Sequence, residues 1–332
     1  MSMGSSETYF CNTTLKSGNI FSIMGSTKQK KRRLLSDLVN VNNPQLVCEE
    51  VLKIISLLFP PSAPDQFDRM FLKAFDDIVG FFGGRYPGYR ACNTDYHDLR
   101  HTMDTLLAMA RTIHGVVIAG TAFSKETTIL GLVSALMHDT GFIQSINDIK
   151  GTGAKYTNTH VKRSVAFASR YFKEAGYPKE YSYKCSIMIN YTDISTPISE
   201  IRFVSDEVAA MGKILGTADL IGQMADMLYL EKLLFLFCEF QEAGLVTHKN
   251  ELELLKNTMS FYPFAEKRLS VELGGMHNYL HNHFIHRWEI HDNLYDVSIR
   301  KNIKYLDVIL SNHAKDYRNL LKRGIAKNLK KK

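Results

Sequence analysis

The chain has 332 residues, 45% hydrophobic and 23% charged, with a formal net charge of +7. That composition allows one large domain or two small ones with a sizeable core. The five cysteines (Cys11, Cys48, Cys92, Cys185 and Cys238) never form a CxxC pair, which argues against a zinc ribbon and a disulfide framework and fits a reducing compartment.

Residues 1–33 are rich in Ser, Thr, Gly, Asn and Lys without periodicity and read as a flexible basic leader, closing on Lys28, Lys30, Lys31, Arg32 and Arg33. No basic segment leads into an apolar stretch at the N-terminus, and no apolar run nears the roughly 18 residues needed to span a bilayer. A cytoplasmic protein with no membrane partner is therefore expected. Asn43-Pro44 opens a helix through Phe59, closed by Pro60-Pro61, and residues 65–82 form the next, ended by Gly83-Gly84. Leu99, Met103, Leu106, Leu107, Ala110 and Ile113 recur at helical spacing. Ser124 caps a helix to about His138, a further helix runs from Asn158 or Thr159 to Ala175, and Pro178 opens another to about Tyr191. Ser205 with Asp206 and Glu207 starts the helix carrying Asp219. Long amphipathic helices follow at about 226–243, 249–260 and 293–312. No alternating pattern suggests a sheet, so the fold class is all-α: a single compact multi-helix bundle over residues 34–315, with a basic tail over 316–332. Outside the leader and the tail (Lys322, Arg323, Lys327 and Lys330–Lys332) the chain is near neutral. Nucleic acid could engage those ends but is not the favoured partner.

His97 and His101 are four residues apart and would share a helix face. The adjacent pair His138-Asp139 ends an apolar helix, and Asp219 lies within ILGTADLIGQMAD. Imidazoles and carboxylates among apolar side chains are costly to bury unless paired or bound to a metal. A lone helical histidine is usually an ordinary core or surface residue. The order His … His-Asp … Asp in an all-helical chain is more specific.

Five segments resemble the HD superfamily, and within it the cyclic-nucleotide phosphodiesterase branch. Tyr96-His97-Asp98-Leu99-Arg100-His101 resembles Y-H-N-x-x-H, and Leu136-Met137-His138-Asp139 resembles A-x-x-H-D. Thr159–Phe167 is similar to the H-H-x-x-x-V-x-F stretch, Tyr191-Thr192-Asp193-Ile194 to A-T-D-M, and Ala218-Asp219-Leu220 to A-D-L. The resemblance covers about residues 95–225. It departs at Phe142, where the branch has a third histidine, and at Asp98, where it has asparagine. The purine-clamping Q-x-x-F is not found after Glu239-Phe240-Gln241.

The resemblance implies an HD-type bundle and a divalent-metal-dependent phosphohydrolase that cleaves a nucleotide phosphodiester by a metal-bridging hydroxide. His101, His138, Asp139 and Asp219 would hold a first ion (Zn, Fe or Mn). Asp139 would bridge to a second, Mg or Mn. His97 would protonate the leaving oxygen and His160 would contact the phosphate, while Thr192 and Asp193 would orient water or His97. Alternatives are a nucleotide phosphomonoesterase, or a metal- or nucleotide-binding regulatory module with little turnover. The Met and aromatic residues of Met224–Phe240 read most simply as core packing, or as a helix-pair or homodimer surface. His277, His281, His283, His286 and His291 suggest at most an accidental metal-binding surface. Arg287, Asn293 and Tyr295 either line a pocket or pair at a helix end.

Overall fold

The computed structural model describes residues 33–60, 64–245 and 248–321; among these there are twelve α-helices and no β-strand. The all-α expectation holds. Apart from Arg33, the basic leader lies outside the described residues, as do the basic residues from Lys322 onward. No described helix is long and apolar enough to cross a membrane.

Local chemistry sets the first boundaries. α1 (Pro44–Leu58) starts at a proline, which lacks only an N–H that the first turn would leave unpaired, and Asn43 caps it by accepting from Gln45 N–H. α2 (Gln66–Phe82) begins with a reciprocal capping box between Asp65 and Asp68. α3 (Leu99–Ile118) is buried on every face from Thr105 to Val116, and α4 (Lys125–Met137) is likewise buried from Thr127 to Met137. A helix with no polar face belongs in the middle of a core. Around it pack α5 (His160–Glu174), α6 (Lys179–Asn190) and α7 (Asp206–Ala225), with α7 lying along α3. These helices share one apolar core with α1 and α2.

A second, smaller core joins α8 (Tyr229–Glu242) to α9 (Glu251–Lys267). After α10 (Leu280–Trp288), it also takes in α11 (Leu294–Asn312) and α12 (Tyr317–Leu320). Two boundaries differ from the sequence reading. α9 continues through Pro263 into a π-helical turn, Arg268–Glu272, because Tyr262, Ala265 and Leu269 keep its buried stripe in phase. The helical domain also extends past residue 315: Leu321 is fully buried, and Arg318 pairs with Glu251.

The late histidines do not converge on one point. His281, His286 and His291 are exposed, whereas His277 and His283 are buried. His283 Nδ1 lies 3.2 Å from Nδ1 of His114 on α3. The helices can meet here because a Cβ on Gly115 would fall 2.0 Å from the Tyr279 carbonyl oxygen. Arg287 pairs with Glu50, and Asn293 caps α11. Burial, helped by the nearby His286 and Arg287 charges, lowers the His114 imidazole to about 4, and burial holds His283 well below its usual range.

A folded-state pKa below that of the unfolded chain means stability that is full above pH 6.5 and lost as pH falls toward 4. His114 should therefore cost the fold about 2 kcal/mol between pH 8 and pH 5. Urea unfolding of wild type and His114→Gln at both pH values reads this as a shallower pH dependence in the variant. Identical slopes would remove His114 as the cause.

Candidate metal centre

The apolar run of α4 ends at His138, which caps it in helical geometry, and Asp139 starts a short 3₁₀ turn, Thr140–Phe142. That turn is clamped to α5. Gly141 N–H donates to Ser164 Oγ at 2.9 Å, and Arg163 donates to the carbonyls of Gly141 and Ile143 at 2.6 and 3.0 Å. A Cβ on Gly141 would stand 2.0 Å from the His160 carbonyl oxygen, so the close approach requires glycine. The same contact brings His160 Nε2 to 3.9 Å from Asp139 Oδ1.

Asp98 caps α3 by accepting from His101 N–H at 2.9 Å, so the helix starts at Leu99 and His97 lies before it. The expectation that His97 and His101 share a helix face is corrected: the extended backbone at Asp98 turns His97 out of the helix, and the two ring centres are 6.1 Å apart. Asp139 also lies off the helix.

Four side chains from α3, the end of α4 and α7 converge. His101 Nε2 lies 3.2 Å from His138 Nε2, 3.2 Å from Asp139 Oδ2 and 3.1 Å from Asp219 Oδ1. His138 Nε2 lies 3.3 Å from Asp139 Oδ2 and 3.6 Å from Asp219 Oδ1. His101, His138 and Asp139 form a buried cluster able to hold a metal ion, with donor atoms all within 4.8 Å of one another.

The local chemistry fits that use. His138 Nδ1 donates to the Ala135 carbonyl at 2.8 Å, which leaves the Nε2 lone pair facing the cluster. Asp139 Oδ2 is buried with no donor properly directed at it. The separations match those of donors sharing one ion at roughly 2.0–2.2 Å. Burial opposes charge on His101, but the Asp139 and Asp219 carboxylates hold its imidazole up to about 9; His138 is raised for the same reasons, and both carboxyls are held low by the imidazoles. A cation would replace protons in this cluster, so binding should strengthen as pH rises.

A second layer was not foreseen from the sequence. Glu239 on α8 accepts from His97 Nδ1 and from Tyr96 N–H, each at 2.7 Å. Gln223, one turn after Asp219, donates to Asp219 Oδ1 at 2.7 Å and accepts from the Tyr96 hydroxyl. Phe142 lies between His97 and His160, its ring stacked at 4.1 and 4.4 Å from theirs. His160 donates from Nδ1 to the Thr157 carbonyl at 2.6 Å, and burial lowers its imidazole. The Thr192 and Asp193 side chains bond within the local turn, to Ile189 and to Ser195 and Thr196, and the Asp193 carbonyl accepts from Arg268 at 2.7 Å; Glu239 meets His97 instead. The available signals were the i, i+4 spacing of Gln223 and one carboxylate within the apolar LLFLFCEF.

A family model described as Npun_R2479-like matches residues 70–269, more than half the chain and every residue of this centre, so the chain belongs to that family. The description carries no activity and no HD or phosphodiesterase label. No curated protein and no solved structure matches the chain.

Gly141→Ala should destabilise the fold by about 2 kcal/mol or more, since a methyl group there must displace backbone. Urea unfolding checks it. A loss below about 0.5 kcal/mol would mean that the turn and α5 are not locked together.

Proposed function

We propose that this member of the Npun_R2479-like family is a divalent-metal-dependent phosphohydrolase, with a nucleotide phosphodiester as its substrate class. One observation carries the reading: the donor set of His101, His138, Asp139 and Asp219 sits beside an imidazole, His97, that has its own carboxylate partner. A site built only to hold an ion has no need of that pair. The nucleotide preference rests on the resemblance of Tyr96–His101, Thr159–Phe167 and Ala218–Leu220 to the cyclic-nucleotide phosphodiesterase branch.

The four side chains would hold the first ion (Zn, Fe or Mn), and Asp139 would also serve a second (Mg or Mn). Bound divalent ions neutralise phosphoryl charge and bring the pKa of water toward 7. The remaining steps belong to the protein. Glu239 accepts from His97 Nδ1, which orients the ring so that Nε2 is the nitrogen free to serve the leaving oxygen as proton donor. His160, with Nδ1 committed to Thr157, presents Nε2 toward Asp139 and a phosphoryl oxygen. Phe142 stacks on both rings and restricts their rotation.

Metal analysis of the purified protein, with hydrolysis of bis(p-nitrophenyl) phosphate and a nucleotide panel in Mn²⁺ or Mg²⁺, tests this directly. Asp139→Ala should lose metal and turnover together; intact metal content in that variant would sink the assignment. His97→Ala should keep its metal and lose turnover by roughly 10²–10⁴-fold. Unchanged turnover would remove His97 as the acid. Metal held by wild type without turnover on any substrate would favour the regulatory binding module.

A further inference from the structure

Away from the metal centre, a cavity of about 450 Å³ opens between the Leu34–Asn42 segment, α3 and α11. Its volume suits a small organic ligand, and none of the metal centre's residues lines it. Arg111 on α3 does, and it is only 1% exposed. Its Nη1 donates to the Tyr295 hydroxyl at 3.1 Å and its guanidinium lies 5.8 Å from the centres of the Phe284 and Tyr295 rings, while Nε and Nη2 are buried with no hydrogen-bond partner among the described residues. Among the described residues no carboxylate pairs with it. Of the cavity's own carboxylates, Asp226 accepts from Arg100 at 2.5 Å and lies 3.3 Å from Lys232; Asp104 lies 3.8 Å from Arg100, and burial raises its carboxyl to about 7, which lessens its negative charge.

A buried guanidinium is retained at a cost unless an anion meets it. Nε and Nη2 form one edge of the guanidinium, the edge that grips a carboxylate through two parallel hydrogen bonds. Leu35, Val39, Leu107 and Leu228 also line the space, so only part of a ligand there would be polar. We propose that this cavity binds a small amphipathic carboxylate, its head held by Arg111 Nε and Nη2 and its apolar body against those leucines and Val39. The site is independent of the metal chemistry proposed above.

Calorimetric titration of the full chain with the hexanoate-to-dodecanoate series, below micelle concentrations, tests the site, with decanol as the uncharged control. Wild type should bind decanoate, and decanol about tenfold or more weakly. Arg111→Met should weaken decanoate about ten- to hundredfold while melting no lower than ligand-free wild type, since it removes an unpaired buried charge. Ser298→Trp, which fills the cavity and leaves Arg111 in place, should block the same ligand. The proposal is overturned by failure of every carboxylate to bind, by equal affinity for decanol, or by undiminished binding in either variant. A sharply destabilised Arg111→Met whose loss of binding is not matched in Ser298→Trp would make Arg111 a structural residue and overturn it too.

Discussion

His101, His138, Asp139 and Asp219 are held together where solvent reaches at most 13% of any of their side chains. Stripping water from four ionisable groups is expensive, and mutual attraction repays it only when the geometry is tight and the remaining polar atoms are satisfied. The surrounding structure reads as the means of meeting that condition. α4 is apolar on every face, so the only stable place for it is the middle of the fold, and its C-terminus delivers His138 and Asp139 into the interior. α3 and α7, packed along one another, bring His101 and Asp219 to the same point.

The two apolar cores divide this work. The larger one carries all four members of the cluster and, through the clamp of Gly141 on α5, sets His160 beside them. The smaller one anchors α8, whose Glu239 crosses back to His97 and the Tyr96 amide. The second core is thus more than added bulk: it positions the carboxylate that orients the His97 ring. Gln223 and Tyr96 complete the layer, so each imidazole or carboxylate at the centre faces either another member of the cluster or a directed polar group.

Buried charge elsewhere is handled in different ways. Arg287 pairs with Glu50 and Arg318 with Glu251. His114 and His283 avoid the cost by staying neutral. Arg111 does neither: a guanidinium stays protonated at any relevant pH, and among the described residues it meets two aromatic rings and the Tyr295 hydroxyl but no carboxylate. That contrast sets its cavity apart from the ordinary packing around it.

Much of the helical architecture was legible because its causes are local. Asn43, Ser124 and Ser205 each accept from an amide two or three residues away, a range the linear sequence displays directly. His101, His138, Asp139 and Asp219 stood out because ionisable groups inside apolar helices have few tolerable fates. Tertiary structure alone decided their partners. Glu239 lies 142 residues from His97, and a single carboxylate in an apolar helix reads the same whether it faces a site or solvent. Phe142 looked like a missing ligand and became the stacking surface between two histidines only once the Gly141 turn met α5. Pro263 looked like a stop, yet packing of Tyr262, Ala265 and Leu269 carried the helix past it. Sequence by itself determined which residues had to be buried and which turns had to form, since propensity and capping act over a few residues. Which buried groups meet was decided by packing between segments far apart in the chain, where the balance of desolvation against pairing is struck.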